Sequence, residues 1–470
     1  MSTETPAPPT GIWTGSLLWM TLGANAIIFL AAFDALAVTT IMPTVARDLD
    51  GATLYSAAFS STLAAGVIGT VASGAWADRR GPVAPLVAAV AVFVGGLVVA
   101  ATAGTMPLFV VGRFLQGLGM GAAIVAIYVI VARVYPARVH TRVFATFAAA
   151  WVVPGLVGPV AAGAVADGPG WRWVFVGVSV FVIVALVAIG PSLRRLRGAP
   201  IPATDGEVAR PPASAARIAR DLVLATLLAF AVVGISTAEE LPTWVGWIVA
   251  AGCVVAAILL FRPVLPRGTL TARRGLGSTI LLRGAIAASF FSTEVRLPYL
   301  LQAHYGMKPW EAGLILTVGA VSWGAASVLQ PRLAGRVSET RALIGGALLL
   351  VLGIGLQLAT AALTLHPAVV GVGWLIAAGG MGTIYPRLST MMLGYSAPAD
   401  QGFNSSALSN IESVGGATAI ALGGLLFAAA GGTAGAGFST SILLSFAIAV
   451  LAVPIAFRAE HPREAARVSG

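Results

Sequence analysis

Gly74-Ala75-Trp76-Ala77-Asp78-Arg79-Arg80-Gly81 is a polar break between two long apolar runs, residues 53–76 and 83–103. At 1.5 Å per residue, each run is long enough to cross roughly 30 Å of hydrocarbon. The break therefore reads as a short loop that keeps its charges in water between two membrane helices. The same alternation continues in both directions. Apolar segments bounded by Pro, Gly or charge predict fourteen helices, at 18–45, 53–76, 83–103, 106–132, 142–166, 171–191, 221–236, 243–261, 278–302, 310–330, 342–363, 367–394, 403–428 and 438–457. The composition agrees. Of 470 residues, 58% are hydrophobic and 10% charged, with 56 Gly, and the mean hydropathy is +0.91. Soluble domains carry about 25% charged residues, so a soluble surface cannot be built from this chain. The runs lack the alternation of a membrane β-barrel. The expected fold class is an all-α polytopic membrane protein.

The net charge of +10 comes from 28 basic and 18 acidic residues. The basic residues are scattered in short clusters between apolar runs, so no basic domain exists for a nucleic-acid backbone to contact. Their sidedness is informative. With the N-terminus in the cytoplasm, loops and tail on that side hold 21 basic residues. The opposite side holds Arg47, Arg172 and Lys308, and Arg113, Arg283, Arg296 and Arg387 fall inside spans. The positive-inside rule then places both termini in the cytoplasm. Residues 1–10 are Pro-rich without a basic residue, a poor cleavable signal, so the first helix is expected to be retained. Cys253, the single cysteine, lies in an apolar run and reads as a small buried hydrophobe.

The chain repeats itself in order. Met42-Pro43 matches Leu297-Pro298, Ala77-Asp78-Arg79 matches Ala334-Gly335-Arg336, Gly119-Met120-Gly121 matches Gly380-Met381-Gly382, and Val157-Gly158 matches Val414-Gly415. The nearly constant offset predicts two six-helix halves, the layout of parallel transporter repeats. The expected organisation is a first half at 1–192, a cytoplasmic linker at 193–220, an extra hairpin and loop at 221–274, a second half at 275–458 and a cytoplasmic tail at 459–470.

Several motifs resemble the major facilitator superfamily. Gly74, Asp78, Arg79 and Gly81 resemble its signature between the second and third helices. There Gly74 would allow close helix approach and Asp78 would face a helix N-terminus. The family's usual further basic residues are replaced by Pro82-Val83-Ala84. Gly155-Leu156-Val157-Gly158-Pro159-Val160-Ala161-Ala162-Gly163 resembles the motif associated with antiporters. Its Gly155, Pro159 and Gly163 share one helix face that another helix could pack against closely. Phe33-Asp34-Ala35-Leu36-Ala37-Val38, Gly112-Arg113-Phe114-Leu115-Gln116-Gly117 and Leu297-Pro298-Tyr299-Leu300-Leu301-Gln302 resemble first-, fourth- and ninth-helix motifs of the fourteen-span drug:proton antiporters. The resemblance implies a major facilitator fold and alternating access without a cofactor, driven by a proton gradient in a bacterial inner membrane. The implied partners are a small amphipathic substrate, protons and the bilayer, with the chain acting as a monomer.

Carboxylates inside the membrane are expensive and need a reason. The candidates for proton coupling are Asp34 with Arg113, Glu412 and Glu294. Counting rise per residue places Asp34 and Arg113 at the same depth. Glu412 sits among Asn404, Ser405 and Ser409, which suggest a wet or helix-facing side; there it would either attract a cation or hold the helix by structural hydrogen bonds. Glu294 is expected nearer the outer face, with Arg296 close by to reduce its cost. Glu239 and Glu240 read as solvated turn residues. Phe33, Tyr128, Phe290, Phe291 and Tyr385 are candidate cavity aromatics for stacking or cation–π contact. The four His lack metal-ligand spacing, and no Gly-rich segment carries the Lys-Ser/Thr of a phosphate loop, so an enzyme is not expected. Three function classes stay open: proton-coupled export of hydrophobic or amphipathic, including cationic, compounds such as antibiotics; export of an endogenous lipid or secondary metabolite; and proton-coupled import of a small nutrient.

Overall fold

The long apolar runs become helices because a backbone in lipid must satisfy its own hydrogen bonds. The computed structural model describes residues 13, 15–135, 137–197, 214–238, 241, 243–333, 336–397 and 400–460. Among them are α1 (Gly15–Asp48), α2 (Tyr55–Arg80), α3 (Val83–Ala101), α4 (Met106–Val134), α5 (Ala137–Asp167), α6 (Arg172–Arg197) and α7 (Ala215–Thr237). They are followed by α8 (Thr243–Phe261), α9 (Leu276–Tyr299), α10 (Pro309–Leu333), α11 (Glu339–Leu363), α12 (Ala368–Gly394), α13 (Gln401–Ala429) and α14 (Gly437–Ala459). A π turn, Leu300–His304, continues α9. Fourteen of these elements are long and apolar enough to cross a membrane. Large apolar side chains stand exposed on the outer helices, Phe181 and Val187 on α6 and Trp244 and Ile248 on α8, as a lipid-facing surface requires.

Helices α1–α6 pack chiefly on one another, and so do α9–α14. The repeated Gly-Met-Gly segments occupy equivalent places. In α4, Gly119 abuts Ala89 and Phe93 of α3 while Gly121 abuts Gly66 of α2. In α12, Gly380 abuts Gly346 and Leu350 of α11 while Gly382 abuts Trp323 of α10. Each three-residue motif thus wedges one helix between two others, with hydrogen in place of a side chain at the glycine contacts. Ala334 and Gly335, the counterpart of the Ala77-Asp78 loop, lie outside the described residues.

The linker is shorter than its composition suggests. Helix α6 continues to Arg197, with Arg194 in its last turn, where a cation suits a helix C-terminus. Helix α7 begins at Ala215, capped by Ser214, whose Oγ accepts from the Arg217 N–H at 3.2 Å. Residues 198–213 lie outside the described set, as do Glu239 and Glu240. Helix α7 lies against both α2 and α13. Ser236 hydrogen-bonds Ser60 at 2.6 Å, Val232 packs with Ala64 and Ala417, and Ala225 joins Val67, Leu408 and Ile411. The extra hairpin therefore covers a seam between the two helix groups.

Two groups meet directly along α5–α10, α2–α13 and α1–α9. The side on which α1 starts and α14 ends is called here the terminal side, and the opposite one the far side. Hydrogen bonds joining the groups sit toward the far side. Gln302 Nε2 donates to the Thr40 carbonyl at 2.8 Å and its Oε1 accepts from Thr44 at 3.3 Å. The Tyr55 hydroxyl donates to the Val295 carbonyl at 2.9 Å, Arg296 donates to Ser56 Oγ at 2.6 Å, and the Tyr55 and Tyr299 rings stack at 4.6 Å.

Candidate functional site

The first buried charge pair lies inside the α1–α6 group. Asp34 on α1 and Arg113 on α4 are both 2% exposed, and Arg113 Nη1 donates to Asp34 Oδ2 at 3.0 Å. Gln116, one turn along α4, accepts from the same Nη1 and donates to the Gly96 carbonyl at 3.2 Å. Arg113 Nε donates to the Ala58 carbonyl of α2 at 3.3 Å. The guanidinium is therefore held by three helices, whereas Asp34 Oδ1 has no hydrogen-bond partner. Such a carboxylate keeps one oxygen ready to receive a proton while the other stays oriented.

The second pair corrects an expectation. Glu412 does not offer a free negative charge, because Arg283 of α9 neutralises it. Arg283 Nε donates to Glu412 Oε2 at 2.8 Å, and the side chains are 6% and 19% exposed. The Tyr385 hydroxyl donates to both carboxylate oxygens, at 2.8 and 3.0 Å. Arg283 Nη1 also reaches the Tyr385 carbonyl at 3.0 Å and Ser389 Oγ at 3.3 Å. Its guanidinium lies 3.1 Å from the centre of the Tyr385 ring. This network ties α9, α12 and α13 together.

Glu294 departs from expectation in the opposite sense. Arg296 does not shield it, since two residues along a helix face nearly opposite directions. The Arg296 guanidinium instead meets Ser56 and Ser441 Oγ, the latter at 3.0 Å, and lies over the Phe427 ring at 4.9 Å. No hydrogen bond or ion pair from the described residues reaches the Glu294 carboxylate, which is partly exposed.

The five aromatics divide. Phe290 is 2% exposed, stacked on Trp374 at 4.3 Å and edge-on to Trp323 at 5.3 Å, so it lines no open space in this conformation. Tyr385 is engaged by Glu412. Phe33 and Phe291 are half-buried, with Phe33 next to Gly158 and Phe291 next to Gly416. Tyr128 is exposed and packs on Phe144 and Phe147. Gln116, Arg283, Ser389, Trp323 and Trp374 were absent from the sequence-based candidates. The intramembrane position of Arg283 was the available signal, because a buried guanidinium requires a partner.

The motif on α5 forms the contact with α10. Pro159 abuts Gly313, Gly155 faces Ala320, and a Cβ on Gly163 would stand 2.6 Å from the Trp310 backbone. Gly163→Val should therefore force α5 and α10 apart and cost about 1–3 kcal/mol. Gly177→Val on α6, where nothing lies within 4 Å, is the control. Thermal melting of the solubilised protein reads the difference, and equal melting of both variants would remove the packing argument. At the α2–α3 loop, Gly81 adopts φ +79°, and its N–H caps α2 by donating to the Ala77 carbonyl at 3.0 Å. Gly74 meets only Val125, at 3.9 Å, so the close approach expected there is absent. Asp78 and Arg79 are exposed, and Arg133 of α4, donating to the Ala77 carbonyl at 3.2 Å, braces this turn.

A sequence profile of the Major Facilitator Superfamily matches residues 25–419. The chain belongs to the major facilitator superfamily. A Mycobacterium tuberculosis protein described as an uncharacterized MFS-type transporter is 32% identical over 197 residues, covering 40% of this chain and only 29% of that protein. A second M. tuberculosis protein, described as a probable multidrug-efflux transporter, is 26% identical over 477 residues and covers 98% of both chains. The fold is similar to that of a D-xylose–proton symporter, with a TM-score of 0.69 at 15% identity over 94% of this chain and 98% of that one. At that identity the likeness is one of fold alone. The family is one of transporters rather than enzymes, and the fourteen candidate spans make the chain a multi-pass membrane protein. Among the described residues, no group of three or more His, Cys, Asp or Glu could hold a metal ion.

Proposed function

We propose that this major facilitator protein exports hydrophobic or amphipathic compounds in exchange for protons, by alternating access. The observation that carries the reading is the buried Asp34–Arg113 pair with its bare Oδ1. Protonating Asp34 cancels the charge that holds Arg113 Nη1, while Gln116 and the Ala58 carbonyl still hold the guanidinium. A proton can thus weaken the link between α1 and α4 while the neutral acid still leaves Oδ2 to accept from Arg113 Nη1. Residues 1–192 and 275–458 are the two moving bodies. The stretch between Arg197 and Ser214 joins the first body to the extra hairpin of α7 and α8. The arginine distribution favours a cytoplasmic terminal side, in a bacterial inner membrane. The far-side bonds of Gln302, Tyr55 and Arg296 then correspond to a conformation closed outward. Export over import is supported by the α5–α10 face, which resembles the antiporter motif, and by similarity to the relative described as a probable multidrug-efflux transporter. No cofactor is required, because the gradient supplies the driving force.

The test is purified protein in liposomes with an imposed pH gradient, reporting a fluorescent amphiphile with and without a protonophore. Movement against the compound's own gradient that stops with the protonophore is expected. Transport indifferent to the protonophore would overturn proton coupling.

A further inference from the structure

We propose that the loop between α8 and α9 is a binding site for the phosphate head of an anionic phospholipid whose acyl chains lie along α8. The site is separate from the transport pathway and holds whichever compound the protein moves.

The charge of this connection sets it apart. Arg262-Pro263-Val264-Leu265-Pro266-Arg267-Gly268-Thr269-Leu270-Thr271-Ala272-Arg273-Arg274-Gly275 holds four arginines and no acidic residue. All four are exposed, and no hydrogen bond or ion pair from the described residues reaches their guanidinium groups. Elsewhere on the surface Arg217 and Arg220 are answered by Asp221, and Arg172 by Asp48. A fifth exposed arginine joins the loop from α14. The Gly275 N–H donates to the Arg458 carbonyl at 3.0 Å, which sets Arg274 and Arg458 on adjoining backbone. Glu460, two residues beyond Arg458, is engaged at the start of α11, its Oε2 accepting from the Thr340 N–H at 3.2 Å.

Local structure holds the loop in shape. Leu265 is buried with Phe261 and Ile280, so the loop is pinned to the helices where it starts. Thr269 Oγ1 donates to the Pro266 carbonyl at 2.8 Å, and the Arg273 N–H donates to the Gly268 carbonyl at 2.9 Å. Ser278 Oγ, in the first turn of α9, reaches the Ala272 and Arg273 carbonyls, both at 2.9 Å. Gly268 takes φ +87°, and a Cβ there would stand 2.8 Å from Arg273 Cβ and 3.0 Å from its Cδ. The Arg273 side chain therefore crosses this turn, beside Arg267. A backbone fixed in this way has less freedom to lose when its arginines grip an anion.

The surface leading into the loop points to a lipid rather than to a soluble anion. On the last two turns of α8, Val255, Ile258 and Leu259 are at least half exposed, and Leu270 is exposed between Arg267 and Arg273. Phe261 ends α8 and Arg262 follows at once, so an apolar face runs straight into the unpaired charge. A phospholipid has the same order, acyl chain and then phosphate. Guanidinium N–H groups match phosphate oxygens in pairs, and basic clusters at a membrane surface collect anionic lipids. A zwitterionic head carries its own cation and gains less.

The experiment is binding to the full-length protein, stripped of lipid in a neutral detergent and titrated with phosphatidylglycerol, phosphatidylcholine or glycerol 3-phosphate, read by native mass spectrometry. Phosphatidylglycerol should bind about tenfold more tightly than phosphatidylcholine. Arg273→Gln with Arg274→Gln should weaken phosphatidylglycerol by about tenfold and phosphatidylcholine by less than about twofold. Arg336→Gln with Arg341→Gln removes the same charge from exposed positions at the α10–α11 turn, on the same side, and should leave both lipids within about twofold of wild type. Both double variants should melt with wild type in plain detergent, because none of the four side chains holds a bond. Equal losses of phosphatidylglycerol in the two double variants would make the loop part of a diffuse positive surface and overturn the site. Equal affinity of wild type for the two lipids would overturn it too. Glycerol 3-phosphate bound as tightly as phosphatidylglycerol would make the ligand a soluble phosphate ester and overturn the lipid assignment.

Discussion

Asp34→Asn should reduce pH-driven efflux to background, on the order of a hundredfold or more, while the protein still folds and still exchanges substrate down its gradient. The asymmetry of the pair underlies this expectation. Asn retains an oxygen for Arg113 Nη1, the bond now made at 3.0 Å, so the α1–α4 link survives. It cannot take up or release a proton at the atom corresponding to the bare Oδ1. Asp34→Ala should behave differently, because it strands a buried guanidinium beside only Gln116 and a carbonyl. Breaking a buried pair by removing one partner costs about 3–5 kcal/mol, so this variant should melt early or accumulate poorly. Counterflow in liposomes separates the two outcomes. Exchange retained with pH-driven transport lost is expected of Asp34→Asn, and wild-type pH-driven rates in that variant would remove Asp34 from the coupling step.

Periodicity and composition made the helices legible, because lipid imposes one solution on a long apolar backbone. The repeat was legible for a related reason. Gly119 and Gly380 sit where two backbones nearly touch, and a residue demanded by a close contact leaves a fixed mark in sequence. Side-chain pairing was legible only where depth and charge both pointed to one partner, as for Asp34 and Arg113. Glu412 and Glu294 were read from sequence neighbours, and that was the wrong evidence in both cases. The polar residues around Glu412 suggested a wet face, while its real partner, Arg283, is 129 positions away. Arg296 is two positions from Glu294, yet helix geometry turns it to α2 and α14. Matching the four intramembrane arginines by depth against all carboxylates would have come closer. The ends of α6 and α7 were missed because arginines and a serine suit helix termini as well as linkers.

The Arg283–Glu412 pair carries the second large effect, and it falls on stability before selectivity. Three helices share its bonds, and Tyr385 contributes both its hydroxyl and its ring. Arg283→Met should cost about 2–4 kcal/mol, since it leaves Glu412 charged and largely buried with only a phenol to satisfy it. Glu412→Gln is milder, because an amide oxygen can still accept from Arg283, though the guanidinium loses its counter-charge. The double variant should be more stable than the two single losses predict, with a coupling of about 1–3 kcal/mol, because neither charge is then stranded. Thermal melting of all four proteins gives that cycle directly. Transport supplies the other half of the argument. A network that positions α12 and α13 without presenting free charge should affect cationic and neutral compounds alike, so Glu412→Gln should lower both by a similar factor. Loss confined to cations in Glu412→Gln, with melting and neutral transport unchanged, would mean that Glu412 lets go of Arg283 during the cycle and meets the substrate itself.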